Sequence, residues 1–369
     1  MPESSHPRIA VDASGGDHGP SVVVPGAVAA ARQLGGSEII CVGPEDAIER
    51  ELDRAGGRDL PVRVVHAPDT ISMDEAPAQA VRRKTESSIV VGAQLVREGQ
   101  ADAFVSAGST GAVTAAATLV IGRLPGVARP GIATVMPTRK GVCLVIDMGA
   151  NVDCKPKHLL QFAGMGKIYA EHVLNLSEAT VGLLNIGEEP GKGDELTQAA
   201  YALLDAHDPR FVGNIEGKHL FDGRASVVVC DGFVGNVVLK ILESFGGFLL
   251  DSFRDHIRGN VRATLGAGLL KPAMKDFARS FDYAEYGGAP LLGCRGVVII
   301  AHGRSSAQAI TNAVRVADRG VRDRIAQRIQ DEIEREQREL DAAAAESGSD
   351  PVEAHAETQK QSKGGRGDG

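Results

Sequence analysis

The chain reads as a doubly wound α/β protein, and three features of its sequence lead there. Ten short apolar runs rich in Val and Ile recur along it, helical segments stand between many of them, and most runs end in glycine or a small polar residue. Strands that are apolar almost throughout are buried on both faces, so a sheet with helices packed on either side accommodates them. A chain of 369 residues can bury a core of that size without disulfides.

Taken in order, the strands are read in "RIAVDA", "EIICVG", "PVRVVHA", "ADAFVSAG", "GIATVMP", "GVCLVIDMG", "TVGLLNIG", "FVGNIEG", "ASVVVCDG" and "GVVIIAHG". Helices are read in "SVVVPGAVAAARQL", "SIVVGAQLVREGQ", "HLLQFAGMGKIYAEHVL", "ELTQAAYALLDA" and "SSAQAITNAVRVA", whose apolar residues follow helical spacing. Residues 244–281 differ and are predicted to form a helical protrusion. There Phe248, Leu249, Phe253, Ile257, Val261 and Leu265 recur at helical spacing, with Arg254, Arg258, Arg262, Lys271 and Lys275 nearby. Two readings of that stripe stand side by side: a helix pair packing on the core or on a second subunit, and a surface for a membrane or a carrier protein. From Gly320 a mixed-charge helix carries Ile325, Ile329 and Ile333 on one stripe, by which it is expected to dock. One α/β domain is assigned to 8–340, and 347–369 is too polar to bury and is expected to be a disordered tail.

Composition narrows the function. A formal charge of -8 argues against binding nucleic acid in bulk. Five cysteines without a CxxC pair fit a reducing compartment better than a disulfide framework or a zinc site. The start "MPESSHPR" lacks the apolar core of a signal peptide, and no uninterrupted apolar run approaches the roughly 20 residues of a membrane span, so any membrane contact is expected to be peripheral.

In a doubly wound sheet, ligands gather where strands hand over to helices. Five polar, glycine-rich strand tails are therefore expected to converge: "DASGGD", "SAGSTGA", "DMGANVD", "NIGEEPGKGDE" and "CDGFVGN". In the second, Ser106, Gly108, Ser109, Thr110 and Gly111 form a tight turn opening an alanine-rich helix, where free N–H groups and hydroxyls make an anion site; an ordinary N-capped turn is the plainer alternative. The fourth offers Asn185, Gly187, Glu188 and Lys192, but its glycine spacing and the absence of Ser or Thr after the lysine rule out a nucleotide-binding P-loop. The third brings Asp147, Asn151, Asp153, Cys154 and Lys155 to one loop, and the fifth brings Asp231, Gly232, Asn236 and Lys240 to another. Cys154 is read as a bystander thiol, because a nucleophile needs a basic partner and its nearest sequence candidates are Lys155 and His158. Most of these acids are read as hydrogen-bonding and capping groups, since no cluster has metal-ligand spacing. The first tail holds Asp12, Gly15, Gly16, Asp17 and His18: the acids organise the loop, the glycines admit a ligand, and His18 is a donor to it. His302, in "HGRSS" at another strand end, joins the binding set with Arg304 and Ser305 beside it.

In order, "VDASGGDHGP", "RRKTESSIVVG", "SAGSTGA", "GANVDCKP", "QFAGMG", "GLLNIGEEPGKG", "NIEGKHLFDG", "VVVCDGFVGN" and "YGGAPLLG" closely resemble the bacterial PlsX family of phosphate acyltransferases, from about Arg8 to Val316. The family usually has Met where this chain has Ser14 and Asn where it has Ser109. The resemblance implies a Rossmann-like fold of the isocitrate and isopropylmalate dehydrogenase kind, shared with phosphate acetyltransferases, in a cytoplasmic homodimer. It also implies the reaction: a fatty acyl group passes reversibly from acyl carrier protein to inorganic phosphate, giving acyl phosphate for a downstream glycerol-3-phosphate acyltransferase in phospholipid synthesis. No metal or nucleotide cofactor is implied. Under this reading Lys192, Asp231, Asn236, Lys240 and His18 are the catalytic candidates, with phosphate against the Ser106–Gly111 turn and the 185–193 loop. The basic run Arg82, Arg83 and Lys84, or the cations of 254–275, would meet the acidic carrier. A short-chain acyltransferase acting on acyl-CoA, a hydroxyacid dehydrogenase and a non-catalytic lipid- or carrier-binding scaffold are the alternatives.

Overall fold

The computed structural model describes residues 6–257, 266–270 and 287–347. Val261, Leu265, Arg258, Arg262, Lys271 and Lys275 of the predicted protrusion, and residues 348–369 of the predicted tail, lie outside the described residues.

Eleven strands among the described residues form one sheet. They are β1 (Arg8–Asp12), β2 (Glu38–Gly43), β3 (Val62–His66), β4 (Ala103–Ser106), β5 (Gly131–Thr138), β6 (Gly141–Ile146), β7 (Val181–Asn185), β8 (Phe211–Glu216), β9 (Val227–Val229), β10 (Ala289–Leu292) and β11 (Val297–Ile300). Their spatial order is β3-β2-β1-β4-β11-β10-β5-β6-β9-β7-β8. The first five are mutually parallel, the last four are mutually parallel, and β10 and β5 join the two sets through antiparallel pairings. Ten strands coincide with the predicted runs. The eleventh, β10, has four residues beginning Ala-Pro and carries too little pattern to be read as a strand.

The helices are α1 (Pro20–Gln33), α2 (Glu45–Ala55), α3 (Pro77–Arg83), α4 (Ser88–Arg97), α5 (Thr110–Ala116), α6 (Pro156–His172), α7 (Glu195–His207), α8 (Gly232–Ile257), α9 (Ala307–Arg322) and α10 (Ile325–Ser347). On one face of the first strand set, Val24, Val28, Ile48, Ile310 and Val314 from α1, α2 and α9 pack on Ile9, Val11 and Ile39. On the corresponding face of the second set, Leu159, Phe162, Leu203 and Leu204 from α6 and α7 pack on Leu144, Ile146 and Val181. Ile325, Ile329 and Ile333 of α10 are buried in the same cluster, so the helix docks by the predicted stripe.

The opposite face carries one continuous apolar cluster across both sets. Over the first set it is closed by α3, α4 and α5. Over the second set, α8 contributes Val238, Leu239 and Leu242, each only partly buried. Most of α8 stands exposed, and it is long and apolar enough, by length and composition, to cross a membrane, a run the sequence reading did not anticipate. Its first turn is nonetheless built into the sheet. Gly232 N–H donates to the Asn151 carbonyl at 2.8 Å, and at Gly235 a Cβ would stand 1.9 Å from the Asp147 carbonyl oxygen. Only a residue without a side chain lets the helix approach the turn after β6 so closely.

Candidate active site

The five glycine-rich tails do not meet in one place at the head of a parallel sheet. Because β5 and β10 reverse direction, the tails sort into two groups, one at the carboxyl ends of β1, β4 and β11 and one at those of β6, β7 and β9. Five inter-strand steps separate β4 from β9. At roughly 20–25° of twist per step the accumulated rotation is about 100–125°, which swings nominally opposed strand ends towards the same side of the molecule.

In the first group the centre is Asp12, fully buried at the end of β1. Its Oδ2 accepts a hydrogen bond from Ser106 Oγ at 2.6 Å and its Oδ1 accepts from Ser14 N–H at 3.2 Å. Ser88, at the start of α4, also hydrogen-bonds this carboxyl. Burial pushes the Asp12 carboxyl up, while the bonds from Ser106, Ser88, Ser14 and Gly15 pull against that shift. Ser106 Oγ in turn accepts from Gly108 N–H at 3.0 Å. A Cβ at Gly15 would sit 2.9 Å from Gly108 N, so the two turns touch backbone to backbone. The third turn is tied in by Asp17 N–H, which donates to the Gly303 carbonyl at 2.8 Å. Gly16, at φ 81°, turns the chain beside Ala107 and Gly303.

Ser109 is the N-cap residue of α5 but makes no side-chain cap bond, which leaves the first-turn amides of Thr110, Gly111 and Ala112 without a side-chain acceptor. Thr110 is exposed and Gly111 half-buried at this helix start. His18 is exposed, and its carbonyl accepts from Ser21 Oγ. His302 Nδ1 accepts from Arg304 N–H at 3.1 Å, an arrangement that shapes its own turn.

The second group centres on Asp147, fully buried at the end of β6. Its Oδ1 accepts from the N–H groups of Ile132, Ala150 and Gly149 at 3.0, 3.0 and 3.2 Å. Its Oδ2 accepts from Asn151 N–H and from Asn151 Nδ2, both at 2.8 Å. Burial raises the Asp147 carboxyl, opposed by these donors. Asn151 Nδ2 also donates to the Pro130 carbonyl at 2.7 Å, which ties the turn to the start of β5. Asn236 packs on the same turn, its side chain 3.4 Å from where a Gly149 Cβ would lie.

Several predicted roles are revised by this geometry. Asp231 is the cap of α8: its Oδ1 accepts from Phe233 and Val234 N–H at 2.9 and 3.0 Å, so it shapes the helix start that presents Asn236. Lys240 lies one turn beyond Asn236, exposed and 2.9 Å from Glu243 Oε2. Glu188 pairs with Arg224 at 2.7 Å and with His219 Nε2 at 3.1 Å, and Arg224 holds its carboxyl below the usual range. Asn185 braces its loop by donating to the Lys192 carbonyl and to Asn214 Oδ1, with Gly187 buried under the Lys192 side chain and Lys192 itself exposed. Lys155 opens α6, where its N–H donates to His158 Nδ1, so His158 is committed to the helix start rather than to Cys154. Burial pushes the Cys154 thiol up to about 11, the opposite of an activated nucleophile. Asp153 is exposed on the same loop. Lys84 is drawn inward, 2.7 Å from Glu75 Oε1 and 2.8 Å from the Thr70 carbonyl, which leaves Arg82 and Arg83 as the exposed pair of that run.

One cation was missed. Arg129 is exposed just before β5 and lies near enough to Cys154 and His158 to lower both of their pKa values electrostatically. Because β5 runs antiparallel to β6, its beginning lies beside the end of β6. Strand pattern carries no direction, so "ARPGIATVMP" gave no sign that its arginine faces the Asp147 turn. Among the described residues, no group of three or more His, Cys, Asp or Glu side chains could hold a metal ion.

A sequence profile described as a fatty acid synthesis protein matches residues 7–328. Over 327 residues the chain is 51% identical to a phosphate acyltransferase of Pelotomaculum thermopropionicum, covering 89% of this chain and 95% of that one. It is likewise 51% identical to a phosphate acyltransferase of Heliobacterium modesticaldum, with coverage of 88% and 97%. Among solved structures, a phosphotransacetylase from Streptococcus pyogenes superposes with a TM-score of 0.58 at 17% identity, covering 87% of this chain and 95% of that one, a likeness of fold. The match to the profile and the half-identical relatives agree over the residues that build both groups of turns, and the chain belongs to the PlsX family of phosphate acyltransferases.

Proposed function

We propose that this acyltransferase moves a fatty acyl group reversibly from acyl carrier protein to inorganic phosphate, releasing acyl phosphate for phospholipid synthesis. The observation that carries the reading is the half-identity to proteins named phosphate acyltransferase over nearly nine-tenths of the chain. The site chemistry suits it. Phosphate is ionised at neutral pH and serves as its own nucleophile: an oxygen attacks the thioester carbonyl, an oxyanion forms, and the C–S bond breaks as the thiolate leaves. A thiol with a pKa of roughly 8.5 departs without strong acid help. The protein's task is therefore positioning and charge relief.

In this reading the free amides at the start of α5, with Lys192 and Arg129, take the phosphate. Asn236 Nδ2 donates to the developing oxyanion. Asp12, Asp147 and Asp231 work indirectly, by holding the turns; with their lone pairs engaged by amides and hydroxyls, they offer little bare negative charge to repel phosphate. We place the enzyme in the cytoplasm as a homodimer, peripheral to the inner face of the membrane, with its product passing to a glycerol-3-phosphate acyltransferase. Five unpaired cysteines accord with a reducing compartment. Arg82 and Arg83 are assigned to the acidic carrier.

Purified protein given palmitoyl-acyl carrier protein and phosphate should form palmitoyl phosphate. Lys192→Ala and Asn236→Ala should each lower kcat/KM at least tenfold, the first with a raised KM for phosphate. Full activity in both variants would overturn the site assignment. Turnover of acetyl-CoA in place of the carrier thioester would move the enzyme to the short-chain class. Charge reversal at Arg82 and Arg83 should raise KM for the carrier substrate and leave KM for phosphate unchanged.

A further inference from the structure

The order β3-β2-β1-β4 makes the gap between β1 and β4 a topological switch point: the chain leaves β1 towards β2 and β3, then crosses back to lay β4 on the other side of β1. In doubly wound sheets ligands bind in the crevice that opens there, outside the carboxyl ends of the two strands. The crossover from β3 to β4 begins with residues 69–76, and its contacts run along the turns that border that crevice. At its base the Asp69 carbonyl accepts from Ser88 N–H at 3.0 Å, and Ser88 hydrogen-bonds the Asp12 carboxyl. At its middle Met73 Cε comes within 3.1 Å of where a Gly303 Cβ would stand, against the turn after β11. Just past its end Pro77 Cγ lies 2.6 Å from where a Gly111 Cβ would stand, against the turn after β4.

Apolar packing holds this segment weakly. Ile71 is buried in the core and Glu75 is half-buried, while the other side chains from Asp69 to Pro77 are exposed. Segments with so few buried contacts are the first to open. Lys84, at the end of α3, supplies the hold that packing does not: its Nζ lies 2.7 Å from Glu75 Oε1 and 2.8 Å from the Thr70 carbonyl, which closes the bend from Thr70 to Glu75. The same Oε1 accepts from Ser72 N–H at 2.8 Å. Lys84 and Ser72 together keep the Glu75 carboxyl below the usual carboxylate range, so the clip is charged at neutral pH. A lone surface ion pair is worth little, but here one carboxylate oxygen joins a side chain to a backbone N–H, and the ammonium keeps a carbonyl as its second partner. Arg82 and Arg83 remain exposed, so the third cation of the run has a task of its own. We propose that Lys84 is a positioning residue of the acyl transfer: through Glu75 and Thr70 it holds residues 69–77 as a strap along the crevice between β1 and β4, and Met73 and Pro77 thereby fix the turns that receive phosphate. It acts through the strap, at a distance from the reacting atoms.

This inference rests on the acyl-transfer reading, and one experiment separates the two. The full chain and its Lys84→Ala, Lys84→Arg and Glu75→Gln variants are assayed with palmitoyl-acyl carrier protein and phosphate, and amide hydrogen exchange over 69–76 is followed with and without phosphate. Lys84→Ala should exchange over 69–76 about tenfold faster and raise KM for phosphate about fivefold, with kcat and KM for the carrier thioester within about twofold of wild type. Lys84→Arg keeps the charge and the donors and should restore both measures. Glu75→Gln keeps the oxygen and loses the charge, so it should show the same changes at smaller size, and it decides the matter where Lys84→Ala folds poorly. Unchanged exchange in Lys84→Ala overturns the strap. Faster exchange with KM for phosphate unchanged overturns the positioning role, and so does a rise confined to the carrier thioester, which returns Lys84 to the carrier-binding run. A wild type that transfers no acyl group overturns the acyl-transfer reading; phosphate that slows exchange over 69–76 in that wild type but not in Lys84→Ala upholds the strap, and phosphate without effect on either ends both.

Discussion

The turns after β1 and β6 are built on one plan with different partners. Each strand ends in a buried aspartate, and in each the N–H two residues later donates to Oδ1 at 3.2 Å, from Ser14 to Asp12 and from Gly149 to Asp147. Beyond that shared bond they diverge. Besides Gly15 N–H, Asp12 takes its other donors from hydroxyls on separate elements, Ser106 after β4 and Ser88 on α4, so it ties neighbouring turns together. Asp147 takes three of its five from Ala150 and Asn151 on its own turn, so it fixes the shape of one loop, against which α8 closes at Gly235. A carboxylate serves both purposes because it has two oxygens and accepts along several directions; the placement of its donors decides whether it joins turns or shapes one.

The sharpest way to break the comparison is to remove both carboxyls. Asp147→Ala orphans four backbone N–H groups and breaks one of the two side-chain N–H bonds of Asn151, whose amide keeps the Pro130 carbonyl, and should cost about 3–5 kcal/mol. Asp12→Ala orphans two backbone N–H groups, of Ser14 and Gly15, and two hydroxyls, which rotate to other partners, and should cost about half as much. Urea unfolding of both variants checks the order; equal losses would mean that the two turns are equivalent.

Glu336 supplies the control, burial without donors. It lies beside Gly164 of α6 among Glu332, Lys167, Arg335 and Asp208, and its Oε2 is buried without a hydrogen-bond partner among the described residues. Burial pushes its carboxyl up to about 8. A folded pKa above the unfolded 4.5 means that stability from the neutral form is complete below pH 4.5 and is lost as pH rises through about 8. Between pH 5 and 9 the loss should be on the order of 3 kcal/mol. Glu336→Gln should flatten that slope and melt higher than wild type at pH 9. A slope unchanged in the variant would assign the pH dependence to other groups.

These contrasts mark the limit of what the sequence discloses. Strand positions were legible because Val- and Ile-rich runs ending in glycine leave few other conformations open, and the docking stripe of Ile325, Ile329 and Ile333 was legible from its period. Direction was not. Nothing in "GIATVMP" distinguishes a strand running with its neighbours from one running against them, so the separation of the tails into two groups and the place of Arg129 both stayed hidden. Partnership was equally silent. Asp147 and Asp231 are acids before glycine-containing turns in either account, and only the distances show one shaping a loop and the other capping α8. The period of α8 announced a helix but not which of its faces the sheet would leave exposed.

Gly235→Ala tests the joint between the Asp147 turn and α8 with a smaller perturbation. The added Cβ would stand 1.9 Å from the Asp147 carbonyl oxygen, which is backbone and cannot rotate away, so the helix start must shift. The expected cost is about 1–3 kcal/mol, with a loss of kcat larger than the loss of stability predicts, because Asn236 moves with the helix. The equivalent change at Gly15 meets Asp12 Oδ2 at 2.7 Å and the backbone N of Gly108 at 2.9 Å, less severe overlaps than the 1.9 Å at Gly235, and should be milder. Thermal melts beside kcat for the two variants distinguish the positions.

The smallest effect lies inside the shared bond. Ser14 donates its N–H to Asp12, but its Oγ is buried without a partner, 2.9 Å from where a Gly43 Cβ would be. Its counterpart Gly149 carries no side chain to strand. A buried hydroxyl left unpaired costs free energy that its removal returns, so Ser14→Ala should stabilise the protein by about 0.5–1 kcal/mol and leave kcat and KM for phosphate unchanged, since the backbone donor stays in place. Ser14→Met should gain less, because Gly43 and Ile48 crowd the same space. A loss of stability in Ser14→Ala would show that the hydroxyl is engaged, and that the turn after β1, like the turn after β6, leaves none of its polar groups idle.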